Sequence, residues 1–268
     1  MDSVTDPAPW LAALRASHDR LTGIVDGLDA DGLRTRSYAS DWSIADVLSH
    51  LGSGAEIFLL HLNSGLSAGD SPGQADFQAI WDMWNELPPG EQAARSIAVN
   101  GSLVGRVGSL TQEEIAAFQV QMFGMTMDLA GLLRMRLSEH AVHTWDVAVA
   151  VDPAARVSPD AVELLIDGVG RMVPWMGKKA ASTQVIAITT TEPRREFTLD
   201  TGGVTLTPGS VDADRAAGAP VASGSLELPA EALLRMLYGR VGAPDAASGE
   251  VRASNVDLAD LRTVFPGF

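Results

Sequence analysis

Apolar residues recur at intervals of three and four through most of the first half of the chain, a spacing typical of amphipathic α-helices. The clearest stripe near the N-terminus consists of Leu11, Leu14, His18, Leu21, Val25 and Leu28. Another helix is predicted from Ser43, because Ser43 to Asp46 matches a capping box with Asp in the acidic position. Helices are also predicted over about 77–87, 90–104, 126–151 and 158–175. This succession predicts a helical bundle.

The pattern changes in the last third of the chain, where short runs have the composition of β-strands. Strands are predicted over 184–190, 196–200, 204–207, 223–228 and 249–253, and helices over about 229–239 and 256–264. Gly202 and Gly203 mark a hairpin between the second and third strands. A chain of 268 residues also exceeds the usual size of one domain. We therefore predict an α+β protein, with a helical bundle over residues 1–178 and a small α+β domain over residues 179–268.

The charge and the cysteine count narrow the possible partners. The chain has 19 basic and 34 acidic residues, a formal net charge of −15. Nucleic acid and anionic membranes both attract basic surfaces, so neither is expected as a partner. The absence of cysteine excludes disulfides and a thiol nucleophile supplied by the protein. The N-terminus does not resemble a signal peptide and no apolar run is long enough to span a membrane, so we expect a cytoplasmic protein.

Glu139 and His143 are the most informative pair of polar residues. Their spacing of four places both side chains on one face of the helix predicted over 126–151. The residues around them are apolar, and ionisable groups in such surroundings are costly to bury unless they are paired or bind a metal. His50 lies on the apolar face of another predicted helix. His50, Glu139 and His143 therefore form a candidate metal site.

The donor types indicate which metals this site suits. Two imidazoles and one carboxylate suit Zn²⁺, Fe²⁺, Ni²⁺ or Mn²⁺. Three protein ligands leave one coordination position for water or substrate, which is typical of a catalytic site. The alternative is a hydrogen bond along the helix between Glu139 and His143, with His50 unrelated to it. The pair does not match the zinc-protease motif, which needs His-Glu-x-x-His.

The remaining histidines and the tryptophans have plainer interpretations. His61 is expected to be an ordinary core or surface residue, and His140 is expected to face away from Glu139. His18 belongs to the first apolar stripe, and its membership of the site is left open. Packing anchors, or alternatively residues of a pocket wall, are predicted at Trp42, Trp81 and Trp84.

Two segments of the first half resemble motifs of the mycothiol-dependent maleylpyruvate isomerase family. They are Asp41–Leu51, with the letters DWSIADVLSHL, and Arg136–Ala148, with the letters RLSEHAVHTWDVA. The first is similar to the family's Trp-Ser/Thr-Val-x-Asp-Val-Leu-x-His-Leu segment, and the second to its Arg-x-x-Glu-x-x-x-His-x-Trp-Asp-Val-Ala segment. A weaker match, Leu237–Arg240, resembles the Leu-x-Gly-Arg element of the family's smaller C-terminal domain.

The resemblance implies a DinB-like four-helix bundle followed by a domain similar to sterol-carrier proteins. The family holds its metal with the His of the first segment and the Glu and His of the second, which carries over to His50, Glu139 and His143. Zn²⁺ or another divalent metal is thus the implied cofactor. Mycothiol, the family's thiol cosubstrate, suits a chain without cysteine. The metal would lower the pKa of the thiol, which would then attack a small electrophile.

Two further residues enter through the resemblance. Arg240 is a candidate catalytic residue that anchors a substrate carboxylate, because a guanidinium binds carboxylates with two hydrogen bonds. The alternative is a cation that stabilises a helix C-terminus. Asp146 is either an acceptor that orients a ligand imidazole or an ion-pair partner of Arg136 or another surface base.

Three functional classes follow from the sequence. The first is a metal- and thiol-dependent isomerase of a small unsaturated diacid, and the second is a mycothiol S-transferase on the same scaffold. The third is a non-catalytic binding protein that keeps the metal site. Two basic groups beside the metal would favour the diacid isomerase, with Arg134, Arg136 and Arg240 as the residues in question. A broad apolar pocket would favour the S-transferase. Either a monomer or a homodimer is compatible with the sequence.

Overall fold

The computed structural model describes residues 5–39, 41–122, 124–180, 182–209, 221–240 and 250–267. Contacts divide the chain into two compact units, Met1–Val157 and Ser158–Phe268. The first unit is mainly helical and the second combines helices with a sheet, which confirms the α+β class. The sequence placed the domain boundary later, after residue 178. The two divisions differ in where they place residues 158–178, a helical stretch that contacts the sheet of the second unit.

The first unit is built on four long helices. Its helices are α1 (Ala8–Val25), α2 (Ala30–Leu33), α3 (Ile44–Ser67), α4 (Gln74–Asn85), α5 (Pro89–Gly108), α6 (Gln112–Ala117) and α7 (Leu129–Val151). A short hairpin of β1 (Val120–Met122) and β2 (Met125–Met127) precedes α7. Helices α1 and α3 each pack against both α5 and α7, which closes the predicted bundle.

The start of α3 is set by the predicted capping box, which the structure confirms. The Ser43 hydroxyl accepts a hydrogen bond from the amide of Asp46 at 3.2 Å, and the Asp46 carboxylate accepts one from the amide of Ser43 at 2.9 Å. Both bonds satisfy amides of the first turn that have no partner within the helix. The cap therefore fixes the residue at which α3, the helix that contains His50, begins.

Helix α7 begins at Leu129, three residues later than the sequence predicts. Asp128 caps it by accepting a hydrogen bond from the amide of Gly131 at 2.8 Å. Gly124 adopts a φ of 74°, a conformation that favours glycine, and the residues after it, Met125–Met127, form β2 instead of joining the helix. Helix α7 is then buried on most of its circumference, so its ionisable residues lie in the interior of the bundle.

Helices α3 and α4 approach closely at Gly52. The ring of Trp84 on α4 lies so near that a Cβ atom at Gly52 would overlap its Cη2 and Cζ3 atoms. Trp84 is 1% exposed, which confirms its prediction as a packing anchor. The absence of a side chain at Gly52 is therefore a requirement of this helix pair.

The second unit is an α+β structure with a mixed sheet. Its elements are α8 (Pro159–Leu165), a 3₁₀ helix (Ile166–Arg171), α9 (Val173–Met176), β3 (Val185–Thr191), β4 (Arg194–Asp200), β5 (Thr205–Pro208), β6 (Gly224–Leu228), α10 (Ala230–Leu237), β7 (Arg252–Ser254) and α11 (Leu258–Val264). The strand order is β5-β4-β3-β6-β7, in which only β3 and β6 pair in parallel. The β4–β5 pairing confirms the hairpin predicted at Gly202 and Gly203.

Two predicted elements of this unit differ from the structure. The single helix predicted over 158–175 is wrong, because the 3₁₀ helix interrupts it between α8 and α9. Gly170 in this 3₁₀ helix packs directly against the backbone of Leu206, and Gly weakens the α-helical preference there. The strand predicted over 249–253 is shorter and lies later in the structure: β7 spans Arg252–Ser254, Glu250 and Val251 form a bend, and Gly249 lies outside the described residues. The likeness of this unit to sterol-carrier proteins stays a prediction.

None of the described helices combines the length and the apolar character that crossing a membrane requires.

Candidate metal centre

Helices α3 and α7 bring the three predicted ligands together in the first unit. Nε2 of His50 lies 3.5 Å from Oε2 of Glu139, and Nε2 of His143 lies 3.7 Å from the same oxygen. The ring centroids of the two imidazoles are 4.6 Å apart, in an edge-on arrangement. Residues from distant parts of the chain thus converge on one point, although their role as ligands stays a prediction.

The spacing of the donor atoms fits a divalent metal. Donors about 2.0–2.2 Å from a tetrahedral zinc lie about 3.3–3.6 Å from one another, close to the two distances to Glu139. The donor atoms of all three residues lie within 4.8 Å of one another. The side chains of His50 and Glu139 are still 37% and 35% exposed, so one side of the cluster stays open. A bound metal would therefore have an accessible position for a further ligand.

The surroundings favour the protonation states that metal ligands need. Burial lowers the pKa of His50, which outweighs the opposite effect of Glu139, so the imidazole is neutral at pH 7. Burial alone would raise the pKa of Glu139, but the hydrogen bond with His50 and the electrostatic interactions with the neighbouring histidines and Arg136 lower it to about 2. A neutral imidazole and an ionised carboxylate are the forms that bind metals.

Asp146 orients one of the imidazoles. Its Oδ2 atom lies 2.9 Å from Nδ1 of His143, one turn further along α7, and both side chains are buried. A carboxylate can only accept, so Nδ1 of His143 carries the proton and Nε2 presents its lone pair to the cluster. This is one of the two roles that the sequence left open for Asp146. Arg136 instead donates to Leu51 and Asn100.

We expect the Asp146→Asn variant to bind metal about 10–100-fold more weakly than the wild type, because the amide cannot supply the charge that strengthens the imidazole as a ligand. The fold should persist, since Asn keeps a hydrogen-bond acceptor of nearly the same shape. Competition with a chromogenic zinc chelator measures the affinity, and circular dichroism checks the fold. An unchanged affinity would contradict the orienting role of Asp146.

Trp42 covers one side of the two histidines. Its ring centroid lies 5.3 Å from that of His50 and 6.3 Å from that of His143, and its ring plane is only 23° from that of His143. Trp42 is 39% exposed, so its prediction as a core packing anchor is wrong, and it does not line the cavity beside the cluster either. The signal in the sequence was its position immediately before the capping box of the helix that carries His50.

His140 and His18 lie away from the cluster. His140 is buried against α1, where the Ser17 hydroxyl lies 2.8 Å from its Nδ1, as its predicted orientation requires. His18 faces the same region, with its ring centroid 6.5 Å from that of His140. In the described part of the chain, the metal-type cluster includes His50, Glu139 and His143 but not His18.

A cavity of about 550 Å³ extends from the open side of the cluster. It is lined by His50, Ser53, Gly54, Ile57, Phe58, His61, Ser71, Pro72, Gln74, Phe77, Trp81, Gln121, Met122, Gly124, Arg136 and Glu139. All of these residues belong to the first unit. The sequence missed the contribution of His61 and of the β1–β2 hairpin, because neither carries a pattern that indicates a pocket.

Arg240 belongs to the second unit, directly after α10. Its guanidinium is buried and donates to the carbonyl of Tyr238, and its own carbonyl accepts from Arg235. These contacts are compatible with the alternative of a cation at a helix C-terminus. The catalytic role of Arg240 stays a prediction.

The fold and the cluster together define a helical-bundle protein with a His–Glu–His candidate metal centre beside a cavity. The chain belongs to the mycothiol maleylpyruvate isomerase family, since the model of that family's N-terminal domain matches residues 14–148. The matched region contains His50, Glu139 and His143. This membership confirms the predicted family and the expectation of an enzyme.

Solved structures support the same fold for the chain as a whole. A crystal structure of the mycothiol-dependent maleylpyruvate isomerase matches with a TM-score of 0.66 at 12% identity, over 94% of this chain and 95% of that one. A structure of a histidine-to-alanine mutant of that enzyme matches with the same values. At this identity the likeness shows the fold alone. No curated protein sequence matches the chain.

Proposed function

We propose that this protein is a mycothiol-dependent enzyme of the maleylpyruvate isomerase type that uses a divalent metal, with zinc as the first candidate. The observation that carries the proposal is the cluster of His50, Glu139 and His143, with donor distances of 3.5 and 3.7 Å, open to a cavity. Family membership supports the thiol as cosubstrate. A cytoplasmic location and a monomeric or homodimeric state remain part of this proposal.

The residues of the site have distinct roles in this proposal. His50, Glu139 and His143 would hold the metal, which when bound supplies a Lewis acid that lowers the pKa of a thiol. Asp146 fixes the tautomer and the direction of His143. Trp42 shields one side of both imidazoles from water. The cavity beside the cluster would hold the electrophile.

The proposed reaction leaves the thiol unchanged overall. The thiolate sulfur adds to one carbon of an activated double bond, and the electron pair of that bond moves to the activating carbonyl group. Rotation about the resulting single bond follows. The electron pair then returns, the carbon–sulfur bond breaks and the double bond re-forms in its other geometry. A cavity that encloses the adduct would keep the sulfur close during the rotation.

A mycothiol S-transferase is the second candidate, favoured by the lining of the cavity. Apart from Glu139, the only charged residue among the described residues that line it is Arg136. Most of its bulk comes from the apolar and aromatic side chains of Ile57, Phe58, Phe77, Trp81 and Met122. A broad apolar pocket suits hydrophobic electrophiles, whose adduct with the thiol would be the final product.

Metal content and thiol dependence test the proposal together. We expect protein purified without chelator to contain about one zinc per chain and to convert maleylpyruvate only when mycothiol is present. Mass spectrometry of the product separates the candidates, since an isomer keeps the substrate mass and an S-transfer adduct gains the mass of the thiol. Zinc uptake without thiol-dependent turnover would favour the non-catalytic binding protein instead, and no uptake when Zn²⁺ is supplied would refute the metal site.

A further inference from the structure

Arg136 is a buried cation that faces the cavity beside the candidate metal centre. It lies three residues before Glu139 on α7, and the two side chains line the same cavity. Arg136 is 2% exposed. Burial lowers the pKa of its guanidinium to about 10, so the group stays charged at pH 7. A full positive charge is therefore held in the interior of the bundle.

The hydrogen-bond partners of this charge are neutral, and Glu139 interacts with it electrostatically without forming a hydrogen bond to it. Nη2 donates to the carbonyl of Leu51 and to Oδ1 of Asn100, both at 2.6 Å. The guanidinium carbon lies 5.5 Å from the ring centroid of Phe58. Nε is buried without a hydrogen-bond partner. Buried charges are normally paired with an opposite charge, and within the described part of the chain no carboxylate forms a salt bridge with Arg136.

The edge of the guanidinium that faces α3 is kept open by a glycine. A Cβ atom at Gly54 would lie 2.9 Å from Nη1 of Arg136, and it would approach no other residue within 4 Å. Gly54 also lines the cavity. Nη1 has no hydrogen-bond acceptor among the residues that the structure describes, so a ligand in the cavity has access to a free N–H group.

We propose that Arg136 is a specificity residue that binds a carboxylate of the electrophile, whose flat unsaturated body lies against the aromatic part of the cavity. A guanidinium matches a carboxylate in geometry and in charge, and the pair is stronger away from bulk water. The proposal rests on the proposed function for the identity of the cavity as the substrate site. It assigns to Arg136 the discrimination between electrophiles that carry a carboxylate and neutral hydrophobic ones.

Benzoate and benzamide are suitable probes, because they share a flat apolar body and differ in charge. We expect the wild-type protein to bind benzoate at least tenfold more tightly than benzamide in isothermal titration calorimetry. The Arg136→Met variant should bind the two equally. Arg134→Met is the matched control, since Arg134 lies two positions earlier on α7 and does not line the cavity. It should keep the wild-type preference.

Two further variants keep the test decisive. Gly54→Val retains Arg136 but fills the space in front of Nη1, so it should lose the preference for benzoate even where Arg136→Met does not fold. His143→Ala removes a proposed metal ligand, and it should keep the preference if Arg136 rather than a metal binds the carboxylate. A tenfold preference that persists in Arg136→Met or in Gly54→Val would overturn the proposal, as would equal binding of both probes by the wild type.

The outcome is independent of turnover. The titrations need neither mycothiol nor catalysis, so the proposed function can fail while a preference that depends on Arg136 persists. In the opposite case, thiol-dependent turnover without any preference for benzoate would leave the proposed function standing and refute the role of Arg136.

Discussion

Replacing His143 with alanine is expected to remove the bound metal and with it the thiol-dependent activity. The substitution deletes one of three proposed protein ligands and leaves the buried carboxylate of Asp146 without its imidazole partner. Loss of a residue that only orients a ligand already weakens metal binding about 10–100-fold, so loss of the ligand itself should exceed about 100-fold. Turnover should fall by about the same factor or more.

The measurement is metal content by mass spectrometry on protein purified without chelator, with activity assayed on the same samples. His140→Gln is the matched control, because His140 lies on the same helix but faces Ser17 on α1. We expect His140→Gln to retain about one metal per chain. One metal per chain in His143→Ala, or equal loss in both variants, would refute the assignment of the site.

The Gly52→Ala variant is expected to lower the free energy of unfolding by about 1–3 kcal/mol, because the added methyl group overlaps the buried ring of Trp84. Any relaxation must move α3 away from α4. Because Gly52 lies two residues after His50 on α3, such a movement would also displace the imidazole from Glu139. We therefore expect weaker metal binding to accompany the lower stability.

Gly105→Ala in α5 is the control for this substitution. Gly105 is exposed, and a Cβ atom there would meet nothing within 4 Å. Alanine should therefore raise the free energy of unfolding by about 0.5–1 kcal/mol through its helix propensity. Urea unfolding followed by circular dichroism measures both changes. A Gly52→Ala protein as stable as the wild type would show that the α3–α4 contact tolerates a side chain.

Much of the fold and the composition of the cluster were predictable from local pattern. The capping box at Ser43 and the hairpin at Gly202 depend on residues next to one another in the chain, and the structure confirms both. The break in the predicted helix 158–175 was missed, because the packing of Gly170 against Leu206 is a contact between residues far apart in sequence. Local propensity cannot anticipate such a contact.

The sequence by itself determined that Glu139 and His143 share a helix face, because the period of the α-helix is a local property. It also identified the His50 segment through the motif that surrounds it. Only the tertiary structure decided that Trp42 covers the imidazoles and that Arg136 faces a cavity next to Gly54. Helical periodicity specifies which side chains point the same way, but the neighbour that they meet depends on how separate helices pack.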